Sequence, residues 1–194
     1  MKVANGRRRW LANVAAYTLA GGVASLSVGA SLAWLGSLLP PRAAVIATAT
    51  AIVVALVAIA RELGWARLPL PQSTRQTERN WGMVLPGAVA AALWGLDLGL
   101  TFTTRLTFSG AWFLAFTAAV VGKPLFGATL FFAYWAGRAL SVWLAPFLLP
   151  SANATAWLLK GILERYRVFQ GIHVVGLALA VVALALSLAR GSPM

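Results

Sequence analysis

The stretch GLDLG, residues 95–99, carries the only charge in the apolar run Leu85–Phe102. That charge, Asp97, lies between Gly95 and Gly99, which form a small-xxx-small pattern that lets two helices approach closely. A carboxylate near the middle of a membrane span costs about 2.5–3.5 kcal/mol on insertion scales, so it is expected to be paired or functional. The surrounding chain therefore has to supply a polar partner.

The composition is typical of a membrane protein. The chain has 194 residues, of which 60% are hydrophobic and 10% are charged, whereas soluble domains carry about 25% charged residues. Sixteen Lys and Arg against four Asp and Glu give a formal net charge of +12. Most of these cations lie between apolar runs, which indicates contact with anionic lipid headgroups and not with nucleic acid. Arginine and alanine usage is typical of a GC-rich bacterial genome, so we expect a bacterial cytoplasmic membrane.

Six apolar runs predict an all-α integral membrane protein that forms one polytopic domain over residues 1–194. The runs are approximately Trp10–Leu39, Ala43–Ala60, Trp81–Phe102, Leu106–Val121, Leu125–Leu149 and Gly171–Ala189. A cytoplasmic loop at 61–80 separates a first part at about 10–62 from a second part at about 81–189, and we expect a 3+3 inverted repeat. The fourth run is short for a span of about 20 residues, which favours a tilted, kinked or re-entrant segment.

The distribution of cations predicts that both termini face the cytoplasm. In that orientation ten cations lie on the cytoplasmic side and five on the outer side, and Arg138 lies within the membrane. An excess of Lys and Arg marks the cytoplasmic side. The connector at 150–169 is an exception, because it puts three cations on the outer side.

Arg138 is the cation that we expect to pair with Asp97. It lies thirteen residues into the fifth run, at a depth similar to that of Asp97. Arg105 is eight residues beyond Asp97, which is about 80° away around a continuous helix. Tyr134 and Ser141 share the helix face of Arg138 and complete the expected polar site. Two interpretations stay open: a structural ion pair that fixes helix packing, or a site for a substrate or proton.

The first run has small residues that match the glycines around Asp97. They recur at steps of three and four, at Gly22, Ser25, Gly29, Ala33 and Gly36. We expect this face to pack against Gly95 and Gly99, because small residues allow close helix contact. Such packing brings Asp97 to the hydroxyl group of Ser25 or Ser27.

Several kinds of chemistry are excluded by the residues present. The chain has no cysteine, so thiol redox chemistry, disulfides and iron–sulfur clusters are excluded within it. The single histidine, His173, begins the last run and is interpreted as interfacial, since a proton relay requires it near Asp97. No nucleophile elbow, phosphate-binding loop or HExxH motif is present, so no enzyme activity and no cofactor or metal is predicted.

Two segments of the second half, GLDLGLTFTTR (95–105) and GKPLFGATLFFAYWAGRALSVWLAPF (122–147), resemble the transmembrane domain of the DsbD/CcdA family. A third segment, NVAAYTLAGGVASLSVGASL (13–32), resembles that family's first helix only in its content of small residues. That family is associated with passing reducing equivalents across the membrane through one cysteine in each half. This chain has Ser25–Gly29 and Asp97–Arg105 where the family's Cys-Pro motifs are expected, so none of the family's site residues carries over. The resemblance implies two inverted halves that meet at a central site.

Two functions are compatible with these patterns. One is a transporter-type protein that handles a small solute, ion or proton at a central polar site. The other is a non-catalytic accessory subunit that packs against a protein partner in a larger membrane redox or transport complex. A transporter is expected to have a hydrated cavity that reaches Asp97 from one side. An accessory subunit is expected to have a filled centre and an apolar face for its partner.

Overall fold

The computed structural model describes residues 2–65, 73, 75–78, 80–104, 109–148, 164 and 166–189. Over these residues the chain is all-helical, without strands, which confirms the predicted all-α class. The helices are α1 (Lys2–Ser37), α2 (Pro41–Glu62), α3 (Trp81–Val84), α4 (Gly87–Gly99), α5 (Gly110–Val121), α6 (Pro124–Leu148) and α7 (Tyr166–Ala189).

Proline and glycine set several of the helix boundaries. Pro40 has an extended backbone and Pro41 is the first residue of α2, a position where the missing N–H of proline is tolerated. The predicted third run is divided at Leu85 and Pro86, so that it forms the one-turn helix α3 and the longer α4. Gly122 ends α5 with a φ of 62°, in the left-handed region that favours glycine.

The surface of the protein is that of a membrane protein. Three helical segments are long and apolar enough to cross a bilayer: Gly6–Ser37, Val45–Glu62 and Pro124–Phe147. On α7 an apolar stripe is more than half exposed along its length, at Ile172, Val175, Leu179, Val182 and Leu186. A contiguous apolar surface of this kind is suited to lipid contact.

Helix α1 is central, because it contacts α4, α5 and α6. It runs parallel to α4. A Cβ atom at Gly95 would overlap the backbone of Tyr17, and a Cβ atom at Gly99 would overlap that of Gly21. The two contacts advance in the same direction along both helices, and both require glycine on α4.

Helix α6 runs antiparallel to α1. Gly127, near the start of α6, lies against the backbone of Gly29. Towards its end, the indole ring of Trp143 meets that of Trp10 edge to face, with 5.9 Å between the ring centroids. The small residues of α1 therefore pack against two different helices, because Gly29 contacts α6 and not α4.

Helices α4 and α5 follow one another along α1 in the same direction. Gly36, near the end of α1, lies against the backbone of Ala119, and Gly122 lies against Ser37. With 13 and 12 residues, α4 and α5 are about 20 and 18 Å long. Each is shorter than the hydrocarbon core of a bilayer, which is about 30 Å thick. Residues 105–108, between them, lie outside the described residues.

Helix α2 packs against α5 and α7. The side-chain amide of Gln170, near the start of α7, donates to the carbonyl oxygen of Glu62 at the end of α2. The two helices share a buried apolar cluster with α5, formed by Ala51, Ala55, Ala58, Phe113, Leu177 and Leu184. The start of α7 therefore lies beside the C-terminal end of α2.

Candidate functional site at the break between α4 and α5

Helix α4 ends in the interior, so its last carbonyl groups need donors from outside the helix. The hydroxyl group of Thr103 donates to the backbone oxygen of Asp97 at 2.6 Å. The hydroxyl group of Ser25, from α1, donates to the backbone oxygen of Gly99 at 2.9 Å. These bonds let the chain leave the helical conformation inside the protein, where an unsatisfied carbonyl group is costly.

Arg138 binds the carbonyl group that lies between these two. Its Nη1 donates to the backbone oxygen of Leu98 at 3.3 Å, and its guanidinium carbon lies 5.8 Å from the ring centroid of Tyr134. The C-terminus of a helix carries a partial negative charge, which stabilises a guanidinium group without a carboxylate. Arg138 therefore lies beside Asp97 but does not form the predicted ion pair with its side chain.

Among the residues that the structure describes, Asp97 forms an ion pair with Arg75. The Oδ2 atom of Asp97 lies 3.6 Å from Nη2 of Arg75, and the two side chains are 6% and 54% exposed. Within the described part of the chain this oxygen accepts no hydrogen bond, so charge alone holds the pair. Arg75 belongs to the polar segment 61–80 and lies within its described stretch 75–78, and its side chain reaches the end of α4.

The backbone after α4 is strained and buried. Thr101 has a φ of 64°, which costs a β-branched residue about 1–3 kcal/mol. Its side chain is buried and donates to the backbone oxygen of Gly99 at 3.2 Å. The hydroxyl group of Thr104 is also buried, and no described residue forms a hydrogen bond with it. Strain and unsatisfied polar groups of this kind concentrate at functional sites.

A second buried carboxylate meets the start of α5. The Oε1 atom of Glu62 accepts hydrogen bonds from the backbone N–H of Ser109 at 3.1 Å and from its hydroxyl group at 2.7 Å. Nη1 of Arg61 lies 3.7 Å from the same oxygen. The N-terminus of a helix carries a partial positive charge. The break therefore has a cation, Arg138, at the negative end of α4 and an anion, Glu62, at the positive end of α5.

A cavity of about 670 Å³ adjoins this break. It lies between α1, α4, α6 and the polar segment, and its lining includes Asn13, Tyr17, Thr77, Glu78, Trp94 and Leu98. The indole N–H of Trp94 donates to the backbone oxygen of Glu78 at 2.8 Å, which joins α4 to the polar segment at the cavity wall. The volume is in the range of small-molecule sites, about 300–1,000 Å³.

The structure brings some of the site residues predicted from the sequence together and leaves others apart. Ser25, Arg138 and Tyr134 lie at or beside the C-terminus of α4, next to Asp97. Ser141 does not join them, because its exposed hydroxyl group donates to the carbonyl group of Arg138 in its own helix at 2.6 Å. The packing glycines are divided: Gly95 and Gly99 contact α1, while Gly22 and Gly29 contact α6.

Sequence reasoning missed the other half of the site. Glu62 falls within the predicted cytoplasmic loop at 61–80, and Thr101 and Ser109 belong to no recognised motif. One signal was available, since Thr103 and Thr104 come directly after the glycine-flanked Asp97. Hydroxyl groups at the end of an apolar run indicate a place where a helix stops and its carbonyl groups need donors.

Comparisons with known proteins do not extend this account. Models of known protein families do not match the chain, and neither curated proteins nor solved structures match it. The DsbD/CcdA resemblance therefore stays a prediction from three sequence segments. Among the residues that the structure describes, no group of three or more His, Cys, Asp or Glu is placed to hold a metal ion.

Proposed function

We propose that the chain is a multi-pass transport protein of the bacterial cytoplasmic membrane, which handles a small solute, ion or proton at the break between α4 and α5. The observation that carries this proposal is the pair of half-helix ends inside the protein, with Arg138 at one end and Glu62 at the other. Secondary transporters build binding sites from such discontinuous helices, whose dipoles and free carbonyl groups contact the transported species.

The cavity beside the break favours a transporter over an accessory subunit. Its lining includes Leu98, the residue after Asp97, and polar groups of Thr77 and Glu78. An accessory subunit has no need of an open volume beside the end of α4. In the proposed mechanism Arg75 neutralises Asp97 while the site is empty. A cation or proton that enters through the cavity takes the place of Arg75, whose side chain is free to move because it is half exposed.

We propose further that α4 and α5 together cross the membrane once. Five crossings then replace the six expected from the apolar runs, the repeat is no longer 3+3, and the C-terminus lies outside. The cation distribution supports this count. With five crossings, eleven cations lie on the cytoplasmic side and three on the outer side. The cytoplasmic cations are Lys2, Arg7, Arg8, Arg9, Arg61, Arg67, Arg75, Arg79, Lys160, Arg165 and Arg167, and the external ones are Arg42, Lys123 and Arg190. The connector with three cations thereby moves to the side that the positive-inside rule favours.

The transport proposal is tested in liposomes that contain the purified protein. Fluxes of protons, sodium and potassium are followed with trapped dyes, and fluxes of neutral solutes by light scattering. Asp97→Asn is compared with Glu164→Gln, which changes an exposed acid outside the site. We expect flux above that of empty vesicles in the wild type and in Glu164→Gln, and none in folded Asp97→Asn. Folded wild-type protein that moves none of these species would favour the accessory subunit.

A further inference from the structure

The cavity beside α4 combines apolar walls with a charged group near one end. Side chains of α1, α4 and α6 form the apolar walls, at Val14, Ala90, Ala91, Leu98 and Val142. Asp97 precedes Leu98, and Arg75 lies two residues before Thr77, which also lines the cavity, so both partners of the ion pair are close to the lining. A ligand that fills this volume meets mostly apolar surface, and near Leu98 it meets a carboxylate.

Two aromatic rings line the same cavity, and neighbouring groups hold both in place. The indole N–H of Trp94 donates to the backbone oxygen of Glu78 at 2.8 Å, and a Cβ atom at Gly82 would lie 2.9 Å from the indole ring. The ring of Tyr17 contacts that of Trp135, with 4.9 Å between the centroids. Aromatic rings attract organic cations, so these fixed walls suit a cation that has an apolar body.

The charges beside the cavity favour a cation once Arg75 moves away. Asp97 and the lining residue Glu78 are carboxylates. The nearby cation Arg138 donates to the carbonyl group of Leu98, at the C-terminus of α4, which carries about half a negative elementary charge. The arginines near the start of α1 are exposed, where water and salt screen them. The described groups at the cavity therefore leave an excess of negative charge when Arg75 is displaced.

The present ion pair is weak enough to be exchanged. Within the described residues Oδ2 of Asp97 accepts no hydrogen bond, and Nη2 of Arg75 lies 3.6 Å from it. The Arg75 side chain is 54% exposed, so its guanidinium group is hydrated when it leaves. The Asp97 side chain is 6% exposed and then needs another cation in its place.

We infer that the cavity binds an organic cation with an apolar body, whose charged group takes the place of the Arg75 guanidinium beside Asp97. Arg75 itself has the chemistry that the site accepts, because it presents a delocalised cation on an alkyl stem. The inference rests on the proposed transport function and names the class of ligand that its site selects. An inorganic cation carries the same charge but buries no apolar surface against the walls. The exchange breaks no covalent bond and moves no proton.

Calorimetric titration of the purified protein in detergent tests the inference with three ligands. Phenyltrimethylammonium is the probe, because it joins a permanent positive charge to an apolar ring. Tetramethylammonium has the charge without the ring, and benzenesulfonate has the ring with a negative charge. We expect the wild type to bind the probe, to bind tetramethylammonium more weakly, and not to bind benzenesulfonate. Binding that prefers benzenesulfonate, or the lack of binding of the probe, would overturn the inference.

Arg75→Gln gives the sharpest test, because the expected effect is a gain. The wild-type site is open only when Arg75 has left Asp97, so we expect its removal to tighten binding of the probe by roughly tenfold. Arg8→Gln is the control, since it removes an exposed cation of α1 and should leave the affinity unchanged. A ligand that needed the Arg75 guanidinium would bind Arg75→Gln more weakly. Weakened or unchanged affinity for the probe in this variant contradicts the exchange.

Substitutions at Asp97 and Trp94 assign the binding to the cavity. Asp97→Asn removes the carboxylate and should weaken binding of the probe by about 30-fold or more, whereas the exposed control Glu164→Gln should not. Trp94→Leu and Trp94→Phe both lose the indole N–H, so their difference reports the aromatic ring. We expect the probe to bind Trp94→Leu roughly two- to fivefold more weakly than Trp94→Phe. If Asp97→Asn does not fold, the Trp94 pair and Arg75→Gln decide the assignment. Affinity that depends on neither Asp97 nor Trp94 would be partition into detergent and would overturn the inference.

The flux assay separates failure of this inference from failure of the proposed function. We expect a saturating concentration of the probe to reduce flux in wild-type liposomes, because the probe and the transported species share the cavity and Asp97. Binding of the probe by a folded protein that gives no flux contradicts the transport proposal and leaves the binding site in place. Flux that persists at a saturating concentration of the probe, or flux in a protein that does not bind it, overturns the inference and leaves the transport proposal standing.

Discussion

The hydroxyl group of Ser25 donates to the carbonyl group of Gly99 at 2.9 Å, and so joins the middle of α1 to the last residue of α4. This bond satisfies a carbonyl group that the helix itself leaves free. It also lies where α1 and α4 are in close contact, because a Cβ atom at Gly99 would overlap α1. The position of the break is therefore set by the central helix as well as by the local sequence.

Replacement of Ser25 by alanine is expected to destabilise the protein. The substitution removes one of the two hydroxyl donors to the buried Gly99 carbonyl group and leaves that of Thr101, so it costs about 0.5–1.5 kcal/mol of unfolding free energy. Ser27→Ala is the matched control, since that exposed hydroxyl group bonds to Val23 within its own helix. Unfolding in a detergent titration measures both variants. Equal losses in the two would remove the structural role assigned to Ser25.

Gly95→Ala is expected to separate α4 from α1. A Cβ atom at Gly95 overlaps the carbonyl group of Tyr17, and overpacking of this kind costs about 1–3 kcal/mol. Gly137→Ala is the control on α6, where the new methyl group meets no atom within 4 Å. Alanine is the better helix former, so Gly137→Ala should be neutral or slightly stabilising. Thermal unfolding of the two variants tests whether the α1–α4 contact is as close as described.

A double-mutant cycle distinguishes the two candidate partners of Asp97. Arg75→Gln alone leaves a buried carboxylate uncompensated, and Asp97→Asn should recover part of that loss. Arg138 binds a backbone carbonyl group, so its removal should be recovered less by Asp97→Asn. We expect a larger coupling energy for the pair with Arg75 than for the pair with Arg138. The opposite order would restore the ion pair expected from the sequence.

The proposed five crossings are tested by the side of the membrane on which each terminus lies. A reporter fused after Met194 should be active outside the cytoplasm, while one fused before Met1 should report the cytoplasm. The N-terminal arginines, Arg7, Arg8 and Arg9, hold the first helix in this orientation. Two cytoplasmic termini would support the six separate spans expected from the apolar runs.

Features that depend on local chemistry were predictable from the sequence. Apolar runs indicated helices because their composition suits lipid, and Gly95 and Gly99 indicated close helix contact because they are small. The glycines did not reveal which helix each would meet, since Gly29 fits α6 as well as it would fit α4. That choice depends on the packing of all the helices together.

Features that depend on direction and distance were not predictable from the sequence. Helices α4 and α5 resembled two spans in the sequence, because nothing there states that the chain continues in the same direction after Thr101. Arg138 was a reasonable partner for Asp97 because the two residues lie at a similar depth in the membrane. In the structure its guanidinium group donates instead to the carbonyl group of Leu98. Glu62 has charged neighbours in sequence, and only the fold brings it to Ser109.

The proposed transport requires that water reach the end of α4 through a cavity inside the membrane. Because the chain has no cysteine, Leu98→Cys and Leu96→Cys can be made in the wild-type background. Leu98 lines the cavity, whereas Leu96 is 46% exposed on the surface of α4. Labelling by a charged, water-soluble thiol reagent is measured in membrane vesicles of each orientation. We predict labelling of Leu98→Cys from the cytoplasmic side and none of Leu96→Cys, which faces lipid. An unreactive Leu98→Cys, or equal labelling of the two, would contradict the account.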